Sequence, residues 1–532
     1  MSPPPIAAGA APGLFEARNP ATLESLGTVA ATAPADLGPA IAQAASVQRL
    51  WARLRLEDRA RYLRRAAQAV IDELDEVVEL LVAETGRPRV EVGALELLPA
   101  IDTLRWLSVH GVDLLGQRRI AVARALHPLK RARVAQEPVG VVGVIGSGSA
   151  PFAQPLAQIG AALIGGNGVV YKPAPRAALA ADRLARILAR AGLPEGLVRI
   201  VHGDGELGRA LAGADGVARV LFTGSARAGG EVARACAAAG RGASLEVSGA
   251  DPMIVQADAG VPRAAAGALW AACAGAGQVH GAVKRIYVAR ALHDDFLAEL
   301  VGLAAELRVG DPRDPATQLG PLAGAGRAER LGAAVADALA GGARLCCGGR
   351  VSPDGLAGAF AAPTVLDGGA PGMRLLRERV AGPVIAVMGV ADTTEAIALA
   401  NAGAPGLGAS VWTADRRHAH RIAHELRTGT VWINDHLPSP GAGQLPWSTV
   451  TGGSVWRSQG ADGLRACVRP KLVTWDPPIG RSPWWHPYDP ETSQAVRALA
   501  ELRSVRDTDR QRALREGSRA LARVARRSLR RR

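Results

Sequence analysis

Gly140-Val141-Val142-Gly143-Val144-Ile145, then Pro151-Phe152-Ala153-Gln154-Pro155-Leu156-Ala157-Gln158-Ile159-Gly160-Ala161-Ala162-Leu163-Ile164, then Gly168-Val169-Val170-Tyr171 follow one another with short glycine-bearing breaks. The first and last runs are apolar and of strand length, and the middle run is long enough for a helix. The rhythm continues outward. A helix is expected over Ala177 to Ala191, a strand over Val198 to Val201, a short helix over Leu207 to Ala212, a strand over Val217 to Phe222 and a helix over Gly229 to Ala239. Strands alternating with helices predict a parallel sheet covered on both faces, an α/β domain of nucleotide-binding type.

Upstream, the pattern from about Pro34 to Glu84 is helical. Ala35-Asp36 offers a cap, and apolar residues recur near the helical period through Ile41, Ala45, Trp51, Leu54, Tyr62 and Ala66. Ile120-Ala121-Val122 and Arg133-Val134-Ala135 read as strands. A second βα-rich region runs from about Pro252 to Asn434, and residues 1 to 13 read as a proline-rich lead. After Asp476 the composition shifts to Trp484-Trp485 and an arginine-rich tail. Leu514, Leu521, Val524 and Ala525 would share one face of a basic tail helix, either a solvated tail or a binder of nucleic acid or an acidic surface.

The 532 residues are 48% hydrophobic, enough for two or three domains with cores, but only 4% aromatic, so aliphatic residues and alanine must fill them. No signal-peptide pattern and no run of 18 apolar residues is present. Cys236, Cys273, Cys346, Cys347 and Cys467 are few and unpatterned, which argues for a reducing, cytoplasmic setting and against a disulfide framework or zinc site. The net charge of +14 is uneven: residues 501 to 532 hold 12 Arg against 4 acids, a net of +8. Only Lys130, Lys172, Lys284 and Lys471 are lysines among 63 basic residues, and the arginine-rich usage makes the high charge weak support for nucleic-acid binding.

Val220-Leu221-Phe222-Thr223-Gly224-Ser225, with Gly229 opening a helix, reads as a strand-turn-helix junction. Such a junction aims backbone N–H groups and the positive helix end at an anion, typically a phosphate. Gly224 and Gly229 would allow close approach and Ser225 could donate a hydrogen bond; the alternative is an ordinary glycine-bearing turn. Gly146-Ser147-Gly148-Ser149 follows a strand too, but Pro151 stands where a third fingerprint glycine would be.

Several motifs together resemble the aldehyde dehydrogenase superfamily. They are Glu137 to Ile145, Gly166-Asn167 through Lys172-Pro173, Phe222 to Ser225, Leu245-Glu246-Val247-Ser248-Gly249, Gly277-Gln278-Val279-His280 with Arg285 to Val288, Gly382-Pro383-Val384, Gly406 to Trp412 and Val431-Trp432-Ile433-Asn434. The resemblance covers roughly residues 15 to 477. It implies an α/β aldehyde dehydrogenase-like fold: a Rossmann-type NAD(P)-binding domain (14–118 and 137–248), an α/β catalytic domain (249–435) and a β-hairpin oligomerisation arm (119–136 and 466–477). A basic C-terminal extension (478–532) would follow. It also implies NAD or NADP as cofactor, homo- or hetero-oligomers, and a small aldehyde or related ligand.

In that family a cysteine thiolate attacks the aldehyde, an Asn side chain and the cysteine's N–H hold the oxyanion, hydride passes to the cofactor and a Glu activates water. The resemblance puts Glu246 at the Glu position, His280 at the nucleophile position and Ser149 at the oxyanion Asn position. Lys172, Gly224, Ser225 and Gly229 fall at cofactor contacts. Cys273, seven residues before His280, would lie roughly 10 Å away were the segment helical, and reads as a core cysteine. Pro175 stands where the family has an acid for the adenosine ribose. Arg379 stands where it has one for the nicotinamide ribose, Ala381 replaces a phenylalanine beside the ring, and Pro446-Trp447-Ser448-Thr449 and Trp456 depart from glycine-rich loops. Losing one oxyanion donor costs about 10²- to 10³-fold in rate, and an imidazole adduct would tend to expel the ring. The expectation is a family protein impaired in the thiol reaction, a pseudoenzyme acting as a binding or assembly subunit. The alternative is an altered oxidoreductase or esterase-like enzyme using Glu246 and His280.

Overall fold

The computed structural model describes residues 13–123, 129–370, 372–404, 406–437, 444–446, 459–476, 478, 482, 485–486 and 488–529. Residues 1–12 of the lead, Trp447-Ser448-Thr449, Trp456, Trp484 and the last three arginines lie outside the described residues. The chain divides into two compact units, residues 1–116 with 136–470, and 117–135 with 471–532.

The first unit carries two large sheets. One is five-stranded and wholly parallel, in the order Val198–Ile200, Gly168–Lys172, Val141–Ile145, Val217–Ser225, Gly242–Ser248. Chain order therefore runs outward one way from Val141–Ile145, then jumps back to its other side. In such sheets ligands sit beyond the strand C-termini at this switch point. Every residue of Val141–Ile145 and Gly168–Lys172 is buried, because helices cover both faces. Ala153–Ile164, behind them, is buried from Gln154 through Ile164. Asn167 ties the turn between helix and strand: its Oδ1 accepts from the N–H of Val139 (2.8 Å) and Gly140 (3.0 Å), and its Nδ2 donates to the carbonyls of Ala162 (2.9 Å) and Cys467 (2.8 Å).

The other sheet is seven-stranded: Arg344–Val351, Phe360–Asp367, Val384–Val390, Val283–Ala289, Asp251–Val255, Gly408–Trp412, Thr430–Ile433, parallel except for its first pair. One face packs on helices Val261–Cys273, His293–Glu306 and Ala325–Ala340 through Met253, Ala268, Ile286, Phe296 and Leu300. The other packs on Thr393–Ala402 and Arg416–Glu425 through Ile254, Ala396, Val411 and Ile422.

Three sequence expectations are corrected. Asp36 precedes the helix Leu37–Trp51, but its side chain makes no capping bond. No turn separates Phe222 from the helix after it. The strand runs through Thr223, Gly224 and Ser225, paired with Glu246, Val247 and Ser248, and the helix starts at Ala226, three residues before Gly229. The tail is not one amphipathic helix. Gly517 breaks it into Asp507–Glu516 and Ser518–Leu529, leaving Leu514 and Ala525 exposed.

In the second unit the helices Pro490–Glu501, Asp507–Glu516 and Ser518–Leu529 meet through small side chains, Ala495, Ala520 and Val524. Tail arginines are paired there: Arg512 with Asp509 (3.0 Å), Arg497 with Glu501 (3.2 Å), Arg523 with Glu491 and Arg510 with Asp507. A three-stranded sheet, ordered Val468–Trp475, Arg131–Pro138, Arg118–Ile120, carries the arm segments. Among the described residues, no helix is long and apolar enough to cross a membrane, and no group of three or more His, Cys, Asp or Glu could hold a metal ion.

Candidate active site

Four helices begin beyond the C-terminal edge of the five-stranded sheet, and carboxylates of the chain itself cap three of them. Glu96 accepts from the N–H of Phe152 (3.1 Å) and Ala153 (2.8 Å). Glu84 accepts from Leu179 (2.9 Å) and Ala180 (2.9 Å), and Asp204 from Glu206 (2.9 Å) and Leu207 (3.3 Å). These positive helix ends are already filled. The helix Ala226–Ala238 is the exception. Only the Ser225 hydroxyl caps it, accepting from Ala228 N–H at 3.3 Å, so it keeps an uncharged N-terminus for an anion. Gly229 serves packing: a Cβ there would come within 2.7 Å of Val247. Gly224 lies against the Phe222 ring, 2.6 Å from where its Cβ would stand. Lys172, buried at the end of its strand, has its pKa lowered to about 8 by burial. Pro175 opens a short 3-10 turn, Pro175–Ala177, which sends Arg176 toward the cleft.

The segment before His280 is not helical. Helix Val261–Cys273 ends at Cys273, and Gly275, Ala276 and Gly277 then take left-handed conformations in succession (φ 58°, 53° and 67°). Gly277 can be nothing else, since its Cβ would overlap the Gly382 carbonyl. Lys284, fully buried, donates to the carbonyls of Gly277 (3.1 Å) and Gly382 (2.5 Å). Gln278 locks the turn: its Oε1 accepts from Ala323 N–H (2.9 Å) and Arg327 (2.7 Å), and its Nε2 donates to Gly275 O (3.0 Å).

This turn delivers His280 to Ser149, whose Oγ lies 3.0 Å from Nδ1 and 3.3 Å from Nε2. Ser149 Oγ also reaches Ser147 Oγ at 3.1 Å, and its carbonyl accepts from Arg87. Glu246, 4% exposed in the strand Gly242–Ser248, accepts from Gln154, whose Oε1 accepts from Gln459 at 2.8 Å. Cys273 does not face this arrangement. It lines a cavity of about 620 Å³ with Glu91, Leu269, Trp270 and Thr317, and burial pushes its thiol up to about 12, so it stays protonated.

Burial and the charges around it set the state of His280. Burial, then Arg379, Arg87, Arg176 and Arg327, push its pKa down to about 3, so the imidazole is neutral at physiological pH. Arg87 is balanced by Glu96 at 2.6 Å. Arg379 donates to the carbonyls of Gln278 and Val279, both at 2.8 Å, while its Nε is buried without a partner. Arg176 lies across Gly148, where any side chain would overlap it. Sequence reading singled out Arg379 but missed Arg87, Arg176, Arg327 and Gln154, which come from four distant segments with no motif among them.

A model of the Aldehyde dehydrogenase family matches residues 7–473. An aldehyde dehydrogenase from Brucella melitensis biovar abortus 2308 is 28% identical with a TM-score of 0.83, over 87% of this chain and 94% of its own. PnpE, from Pseudomonas sp. WBC-3, in complex with nicotinamide adenine dinucleotide is 28% identical with a TM-score of 0.84, over 88% and 96%. A Mycobacterium tuberculosis aldehyde dehydrogenase complexed with NAD+ is 30% identical with a TM-score of 0.82, over 87% and 95%. The overall fold is thus that of a known architecture, and the chain belongs to the aldehyde dehydrogenase family.

Proposed function

We propose that this family member does not run the thiol-dependent oxidation of aldehydes and serves as a ligand-binding or assembly subunit. The observation that carries this is His280: at the position the family gives to its nucleophile stands a buried, neutral imidazole hydrogen-bonded to Ser149 at 3.0 Å. The nearby Cys273 is a protonated thiol turned to another cavity. Ser149 offers one hydroxyl where the family offers an amide donor, and His280 engages it.

The dinucleotide fits one half of the cleft better than the other. The open N-terminus of Ala226–Ala238, with Lys172 buried on a nearby strand, suits a pyrophosphate and adenosine ribose. When bound, the cofactor would supply a hydride acceptor. At the other end Arg379 stands in place of an acid, with Arg176 and Arg327 near it, and nothing there matches the ribose acceptor of the family. The assembly role rests on the arm. Leu472 and Trp475 are 61% and 52% exposed on the three-stranded sheet, with Ile120 and Leu129 also exposed, and apolar side chains of this size in one sheet fit a subunit interface.

The test is NADH or NADPH production by the purified protein with a panel of aldehydes. No turnover is expected from the wild type. Steady turnover that survives removal of contaminating enzymes sinks the proposal. A second reading rests on the Ser149–His280 distance, which suits a nucleophile and base in an esterase-like reaction with Glu246 assisting. A base whose pKa is about 3 is weak for that task. Hydrolysis of p-nitrophenyl acetate that falls in Ser149→Ala, His280→Gln and Glu246→Gln alike would favour it; a rate unchanged by Glu246→Gln removes it.

A further inference from the structure

Three arginines converge on the cleft wall beside His280, and among the described residues none of them forms an ion pair with a carboxylate; buried Asp251 acts on Arg379 without pairing with it and only partly offsets the burial that lowers its pKa. Arg176 forms no hydrogen bond or ion pair with any other residue among the described residues, and it lies over Gly148, next to Ser149. Arg327 donates to the neutral amide oxygen of Gln278, at 2.7 Å. Arg379 spends one nitrogen on the carbonyls of Gln278 and Val279 and leaves its Nε buried and unpartnered. Gly148, Gln278 and Val279, the neighbours of Ser149 and His280, are thus touched by guanidinium groups from three separate elements. Each lowers the basicity of His280, and they lower one another's: burial first and then Arg379 depress Arg176, burial and then Arg176 depress Arg327, and burial and then Arg327 depress Arg379.

Cations gathered without counter-charge cost free energy in the ligand-free protein. Such an arrangement persists when a ligand supplies the missing charge. An ion pair within the protein would have been the cheaper structural solution, as Arg87 shows with Glu96 at 2.6 Å. The number of donors narrows the ligand. Guanidinium groups reaching in from three directions offer more N–H donors than one planar carboxylate accepts, and they suit the oxygens of a tetrahedral phosphoryl group.

We propose that Arg176, Arg327 and Arg379, with the Ser147 hydroxyl at the rim, form a pocket for a phosphoryl group where the family holds the nicotinamide ribose. The inference rests on the reading that this half of the cleft no longer serves hydride transfer. The ligand is free phosphate or pyrophosphate, or the phosphate of a small phosphomonoester, and binding assays separate these sources.

The experiment is calorimetric titration and thermal melting of the full-length protein at constant ionic strength. Inorganic phosphate, pyrophosphate and glycerol 3-phosphate are the probes, with acetate and chloride as comparators. Phosphate-bearing probes are expected to bind saturably and raise Tm, with acetate behaving as chloride does. The tightest probe identifies the source. Arg176→Gln and Arg379→Gln are each expected to weaken binding by about tenfold or more, while Arg503→Gln, far along the tail, leaves it unchanged. Arg176→Gln should also raise the Tm of the ligand-free protein, because it removes repulsion and no bond. That second readout keeps the test meaningful if Arg379→Gln folds poorly. Absence of saturable phosphate binding, or unchanged binding in both variants, overturns the inference. Aldehyde turnover with phosphate binding intact would overturn the proposed function alone; no turnover and no phosphate binding would overturn the pocket alone.

Discussion

At position 280 an imidazole has to stay neutral to remain where it is. Its pKa in the fold is about 3, against roughly 6.5 in an unfolded chain. The unfolded state therefore binds more protons between those values. The stability that neutral His280 allows is present above about pH 6.5 and is lost as pH falls toward 3. We expect the Tm difference between pH 7.5 and pH 4.5 to be smaller in His280→Gln than in the wild type; an equal difference would place the acid sensitivity elsewhere. The nucleophile itself is a matter of single residues. The double variant His280→Cys, Ser149→Asn restores a thiol beside an amide donor on the same turn, where Lys284 and Gln278 still hold the backbone. Low but measurable NADH formation is expected from it. None at all, despite dinucleotide binding, would point to the arginines as a further block. That His280 and Ser149 stand where the resemblance places the nucleophile and the oxyanion donor was legible in the sequence, because both fall within motifs. The protonation state of His280 was not, since it depends on burial first, and then on Arg379, Arg87, Arg176 and Arg327 folding around it.

Among the elements, the turn from Ala274 to Gly281 is the most constrained. Three successive left-handed residues, one of them Ala276, carry the chain from the helix end to His280. A non-glycine residue in this conformation costs roughly 1–2 kcal/mol. Ala276→Gly is therefore expected to stabilise the protein by about 0.5–1 kcal/mol, net of added chain entropy, in denaturant melts. Gly277→Ala should instead cost about 2–4 kcal/mol, because its Cβ meets the Gly382 carbonyl as well as the strained φ. If both variants melt as the wild type does, the turn is not held as described. The alternation of strands and helices was legible from Gly140 to Ala239, since apolar runs of two lengths and their glycine breaks are local features. The junction at Gly224 was misread as a turn. Glycine there answers to the Phe222 ring and Gly229 to Val247, and neither neighbour is announced by a local pattern.

For the molecule as a whole, each unit has its own kind of core. The first buries large aliphatic clusters on both faces of two sheets. The three C-terminal helices meet mainly through alanines, and each buried methyl contributes little, about 25 cal/mol per Å² of apolar area. We expect their amides to exchange with solvent well before those of Val141–Ile145 in hydrogen-exchange measurements. Equal protection would mean that another surface covers them. The exposed Leu472 and Trp475 carry the assembly prediction: Leu472→Asp should shift the protein to smaller species in native mass spectrometry, and a wild type that is already monomeric refutes the role of the arm. Arg131 stacks over the Trp475 ring at 5.6 Å, so Leu472 is the cleaner position to change.

By itself the sequence determined the family architecture and put a histidine, not a cysteine, at the end of Gly277-Gln278-Val279-His280. Strand length, helix length and the spacing of glycines are set by neighbours along the chain, and a nucleophile is one residue in one motif. Only the tertiary structure decided what the altered site has become. Arg176, Arg327 and Arg379 belong to three distant segments; the resemblance marked Arg379, but Arg176 and Arg327 each read as one of many arginines. Brought to one wall without an ion pair, they repel one another, add to the burial that keeps His280 neutral and leave donors waiting for an anion. Charge interactions of that kind depend on distances across the fold and on exclusion of water, and neither is written in the order of the residues.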